Sequence, residues 1–192
     1  MAKRYEFKQD RLGTGFFSKL YLTKKQRRSI LRWGLYALLL LVLSVVQDVM
    51  LCRIQVLGAT TDLVPCGILL ICVLEGAQKS CIFALIASMV LFFAGGMPGA
   101  YAIVFLTLMA VLAAIFREAY LQRGLGAHLL CVALGLALYM LLDFAMGLFL
   151  RLTVTERVWG FLLSTAMTLP AVLILHPICT SIEALGGSTW KE

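Results

Sequence analysis

The stretch WGLYALLLLVLSVVQDVML, residues 33–51, decides the fold class. From Ala37 to Leu43 it holds no polar side chain, and its only acid, Asp48, lies near the far end. As a helix it would be about 28 Å long, close to the roughly 30 Å hydrocarbon thickness of a bilayer. What precedes it is of the opposite character. Residues 1–32 carry ten of the seventeen Lys and Arg residues, against only Glu6 and Asp10. A basic segment running into an apolar helix reads as a cytoplasmic retention signal that also meets anionic membrane lipid. It does not read as a nucleic-acid arm. Nor does it read as a secretory signal, because no small-residue cleavage site follows.

Outward from this first span the pattern repeats. The chain of 192 residues is 61% hydrophobic and 14% charged, where soluble domains average about 25% charged. Apolar blocks alternate with short polar breaks, which predicts an all-α, polytopic membrane bundle of six transmembrane helices near 33–51, 63–74, 80–94, 100–116, 126–150 and 158–182. A basic arm, 1–32, and a tail, 183–192, complete the division. Within the arm, Phe16, Phe17, Leu20, Tyr21 and Leu22 ahead of Lys24 and Lys25 fit either a surface-lying amphipathic helix or an unstructured basic segment.

The second block is the unusual one. Thr60-Thr61-Asp62 offers N-cap side chains and Pro65 suits a first helical turn. The apolar run Leu63–Leu74 would be only about 18 Å long. Glu75-Gly76-Ala77-Gln78-Lys79 then makes a tight turn into another short block. Two short consecutive helices fit a tilted pair within the bundle, or a pair starting at membrane depth with its ends shielded by protein. Gly95-Gly96-Met97-Pro98-Gly99 is a further turn. With six spans both termini share one side, and fourteen of the seventeen basic residues fall there. The outer side receives Arg53, Arg151 and Arg157. That asymmetry places the termini in the cytoplasm.

Ionisable groups inside a membrane cost several kcal/mol unless paired or wet, so each is a functional candidate. Asp48 lies near an outer end, where it would reach the interface or pair with Arg53. Asp62 is expected to cap the second helix. Glu75 is expected to face water beside Lys79. Asp143, well inside the fifth span, suits a structural or a functional role equally. His176 reads as a structural histidine, far in sequence from His128. Lys24, Lys25, Arg27, Arg28 and Arg32 are expected to face lipid headgroups. Small residues such as Ala84, Ser88, Ala110, Ala113, Ala114, Gly135 and Ala137 allow close helix contact.

None of this composes an enzyme site. No HExxH and no GxxxxGKS occurs, and no Ser-His-Asp order is compelling. The six cysteines form no CxxC pair and, apart from Cys52, sit inside apolar blocks, where free Cys behaves as a small hydrophobe. The expectation is therefore a non-catalytic chain with no metal and no cofactor.

Over roughly residues 31–182 the order of features resembles the MreD family of bacterial rod-shape-determining proteins. Gln47-Asp48 is followed by Gly58-Ala59-Thr60-Thr61-Asp62-Leu63-Val64-Pro65, similar to that family's short loop and Asp-Leu at the start of its second helix. Leu74-Glu75-Gly76 is similar to its turn before the third helix, and Gly95-Gly96-Met97-Pro98-Gly99 to its Gly-rich loop before the fourth. The chain departs from the family at Leu91, Phe92 and Phe93, where an acidic residue is frequent. The resemblance implies a scaffold of the cell-elongation machinery that helps maintain rod shape and position peptidoglycan synthesis. It implies an MreC-like partner and, through it, MreB, RodA and a class B penicillin-binding protein. Contact surfaces would include the turns around Asp62 and around Gly96 and Pro98, and the basic arm. In size and layout the chain also resembles the substrate-capture subunits of energy-coupling-factor vitamin transporters. On that alternative Asp143, Glu75 or Asp62 would help to hold a polar vitamin.

Overall fold

A computed structural model describes residues 24–53, 61–121 and 124–185. The expectations for the arm before Lys24, for the loop 54–60 and for the end of the tail lie outside these residues. Six α-helices, with short 3-10 turns at Leu51–Arg53 and Thr155–Arg157, make up the described chain: α1 (Lys24–Val49), α2 (Leu63–Glu75), α3 (Ala77–Phe93), α4 (Tyr101–Tyr120), α5 (Leu125–Phe149) and α6 (Val158–Leu185). No strand occurs among the described residues. Four of the helices, α1, α4, α5 and α6, are long and apolar enough to cross a membrane. Helices α2 and α3 are shorter, 13 and 17 residues.

α1 starts nine residues before the expected boundary, so Lys24–Arg32 belongs to the helix. No Gly or Pro separates Arg28 from Trp33, and Lys and Arg are good helix formers. α6 likewise runs on through Glu183 to Leu185.

α2 is the axis of the bundle. Every residue from Val64 to Leu74 is buried, and α2 packs against all five other helices. A helix apolar on every side has no face to offer water, so it belongs inside. In lipid, however, apolar burial between helices gains little, and close packing and interhelical hydrogen bonds must hold the bundle. Both are present. Gly67 of α2 lets α1 approach, since a Cβ there would lie 2.9 Å from Leu43 and 3.3 Å from Leu40. Gly135 of α5 fits between Leu69 and Ala113 in the same way. Ala84, Ser88, Ala110, Ala113 and Ala114 are buried, while Ala137 is exposed. Ser88 of α3 meets Thr107 of α4 at 3.2 Å.

Successive helices run in opposite directions, which gives the bundle two ends. One holds the turn from α2 to α3 and the starts of α1 and α5. The other holds the starts of α2, α4 and α6.

Candidate functional site

At the first end the chain spends its polar groups on the α2–α3 turn. Glu75 is not turned to water as expected. Its side chain is 2% exposed, and Oε1 lies 3.2 Å from Arg32 Nε. Lys79, one turn on, reaches Oε2 at 3.8 Å. Arg32 is likewise not lipid-facing. It shares the inward stripe of α1 with Tyr36 and Leu43, and all three are buried. Arg27 and Arg28 are exposed; the side chains of Lys24 and Lys25 lie outside the described part. Trp33, Tyr36 and Phe83 stack around the ion pair, with the Trp33 and Phe83 centroids 5.2 Å apart.

α4 clamps the same turn. Arg117 Nη2 donates to the Leu74 carbonyl at 3.4 Å. Glu118 Oε1 accepts from the Ala77 amide at 3.1 Å, so a carboxylate sits at the positive end of the α3 dipole. Between them Gly76 adopts φ 89° and ψ 163°, a conformation essentially reserved for glycine. Ser80 Oγ closes the turn by donating to the carbonyls of Cys72 and Gly76, both at 2.6 Å. Deeper at this end, His128 Nδ1 of α5 and His176 Nε2 of α6 lie 3.0 Å apart.

At the second end lie Asp62 and Asp143. Asp62 occupies the N-cap position of α2, yet its side chain makes no capping bond. Gln47 of α1 does that work instead, its Oε1 accepting from the Val64 amide at 3.0 Å. The Asp62 amide donates to Thr168 Oγ1 at 3.2 Å, and Asp62 Oδ2 accepts from Ser164 Oγ at 3.4 Å. Both partners are on α6. Tyr139 and Asp143 stand one turn apart on α5. Asp62, Asp143, Tyr139 and Tyr101 are electrostatic neighbours. Asp143 Oδ1 is buried with no hydrogen-bond partner among the described residues.

The other expected positions are exposed. Asp48 forms no ion pair with Arg53 among the described residues. Gly96 and Pro98 lie in the α3–α4 turn, both exposed, while Met97 tucks inward. Gly95 (φ 81°) ends α3, its amide bonding to Phe92 O and that of Gly96 to Leu91 O. That is the Schellman arrangement, so the glycine-rich stretch has a local backbone task.

Sequence reasoning missed the Arg32–Glu75 pair, the Gln47 cap and the histidine pair. One signal for the last was present: His128 and His176 are each followed three residues on by a buried cysteine, Cys131 and Cys179. No group of three or more His, Cys, Asp or Glu able to hold a metal occurs among the described residues.

No family model, no curated protein and no solved structure matches this chain, so its geometry must carry the functional reading.

Proposed function

We propose that the chain is a non-catalytic membrane scaffold of the bacterial cell-elongation machinery, MreD-like, helping to position peptidoglycan synthesis. The observation that carries the proposal is a pair of apolar grooves flanking α5. One, of about 370 Å³, runs between α4 and α5 and is lined by residues such as Met109, Leu112 and Phe116. The other, of about 620 Å³, runs between α5 and α6 past Ala137, Phe144 and Leu162. Leu134 and Leu138 form the ridge between them. A transmembrane helix of an MreC-like partner is the occupant that suits such grooves, since helices associate in lipid through close van der Waals fit. Through that partner the chain would connect MreB with RodA and a class B penicillin-binding protein.

The orientation belongs to the same proposal. Arg27, Arg28, Arg32, Lys79 and Arg117 lie at the Glu75 end, and Arg53, Arg151 and Arg157 at the Asp62 end. This charge bias supports a cytoplasmic Glu75 end, and with it six spans and cytoplasmic termini.

Depletion in the native host should give rounded cells with mislocalised wall synthesis, and the purified chain should bring MreC with it. Filling the larger groove with Ala137→Trp should abolish that co-purification while leaving protein levels intact. Unchanged rods, or an unaffected MreC, would count against the scaffold. The vitamin-capture alternative draws its support from the Asp62–Asp143 cluster. Retention of a vitamin through purification, without MreC, would favour it.

A further inference from the structure

We propose that His128 and His176 form a proton-operated latch across the α5–α6 seam, closed while the two rings share a hydrogen bond and released when both are protonated. The inference goes beyond the scaffold reading, and either can fail without the other.

The latch rests on a contact between two helices. His128 Nδ1 on α5 and His176 Nε2 on α6 lie 3.0 Å apart. That is a hydrogen-bond distance, and it needs an N–H on one atom and a lone pair on the other. His128 is buried and His176 half-buried. A first proton taken up by the pair leaves the bond possible, since an imidazolium can donate to a neutral ring. A second proton ends it. Both facing nitrogens then carry hydrogen, and two like charges stand side by side in surroundings of low dielectric. Histidine is the side chain whose charge ordinarily changes between about pH 5 and 8, so acid is the signal such a pair reads.

A hinge lies beside the contact. α6 contains Pro170 and Pro177, and each removes a backbone N–H from the helical ladder. His176 immediately precedes Pro177, a position where helical backbone is disfavoured. Thr180 Oγ1 and Ser181 Oγ donate back to the carbonyls of His176 and Pro177, at 3.0 and 2.7 Å, a habit that bends helices. Val172, Leu175, Cys179 and Ile182 seat the same segment in the core along a neighbouring stripe. Release at His176 therefore turns the end of α6 without unfolding the bundle. The groove past Ala137, Phe144 and Leu162 lies on the same seam, so the latch sets how firmly its two walls are held together.

The helices packed on α5 and α6 are α1, α2 and α4. At this end they present Arg27, Arg28, Arg32 and Tyr36 from α1, Cys72 and Glu75 from α2, and Arg117, Glu118 and Tyr120 from α4. α5 and α6 themselves add Cys131, Cys179 and Glu183. Glu75 is already engaged by Arg32 and Lys79, and Glu118 Oε1 by the Ala77 amide. Arg117 brings a buried positive charge, which opposes further positive charge nearby. Glu183, about two turns past His176, is an acid on the same helix, and the test controls for it.

The test uses the full chain in nanodiscs, with the native cysteines replaced. Spin labels are placed on Leu130→Cys of α5 and Ile178→Cys of α6, both exposed positions beside the pair. Pulsed EPR reads the distance between them from about pH 8 down to about pH 5. The distribution should be narrow at the upper pH, and lengthen and broaden reversibly at the lower one. His176→Gln and, independently, His128→Asn keep a neutral polar amide at the contact, and each should hold the distance constant. Glu183→Gln should leave the response intact. A second measurement needs no labels: the thermal stability of the native chain should fall across the same pH range by more than that of His176→Gln. No change of distance with pH, a change that persists in both histidine variants, or a change lost in Glu183→Gln and kept in the histidine variants would overturn the proposal.

Discussion

Gln47 Oε1 lies 3.0 Å from the Val64 amide, so the start of α2 is capped from α1, and not by the aspartate in its own N-cap position. Removing a side-chain cap costs about 1 kcal/mol. Gln47→Ala should therefore lower the thermal stability of the detergent-solubilised chain by about that amount, and Asp62→Ala by less. The reverse order in a thermal-unfolding series would return the capping role to Asp62.

The Arg32–Glu75 pair predicts a larger effect. Both side chains are almost fully enclosed, and breaking a buried pair from one side costs about 3–5 kcal/mol, because an uncompensated charge is left behind. Glu75→Ala should unfold the chain at markedly lower denaturant. Replacing both partners, Arg32→Met with Glu75→Met, should recover much of that loss. Lys79→Ala should matter little, since the Lys79 side chain is 44% exposed and exposed partners contribute about 0–1 kcal/mol.

Two glycines with positive φ should respond differently. Around Gly95 a Cβ would meet nothing within 4 Å, so Gly95→Ala should cost only the left-handed conformation, about 1–2 kcal/mol. At Gly76 a Cβ would collide with Glu118 Oε1, in backbone geometry that itself costs about 1–3 kcal/mol for other residues. Gly76→Ala should thus be the more damaging, and combining it with Glu118→Ala should relieve only the steric part. Unfolding midpoints of the three variants decide it.

Orientation is open to chemical labelling. In a background without the native cysteines, Gln78→Cys and Arg151→Cys place thiols at exposed positions of opposite ends. An impermeant maleimide added to intact cells should label the second and spare the first until the cells are opened. Labelling of Gln78→Cys in intact cells would reverse the proposed topology.

Much of the helical layout could be read locally. The apolar blocks, the tight turn at Gly76 and the glycine-rich end of α3 each express a rule acting within a few residues. The central place of α2 was not read: the shortness of Leu63–Leu74 pointed to one of a tilted or membrane-depth pair, although the run shows no polar face. The site was harder. Arg32 and Glu75 are separated by a helix, a loop and another helix, and only the register of α1 on α2 brings them together. Ser164 lies 102 residues from the Asp62 it holds. Arg32 was misread because a basic residue near a membrane end is ordinarily free to reach water. Here the stripe it shares with Tyr36 turns it inward.

The enclosure of α2 also bears on how the chain is made. During synthesis α2 leaves the ribosome early, but α6, one of the five helices packed against it, is the last of the described helices to follow. Until then the Asp62 amide lacks Thr168, and Asp62 Oδ2 lacks Ser164. The contacts of α2 with α6 can therefore form only after α6 has been made. A chain interrupted before Val158 would present its central helix, with a carboxylate at its head, to lipid or to a chaperone.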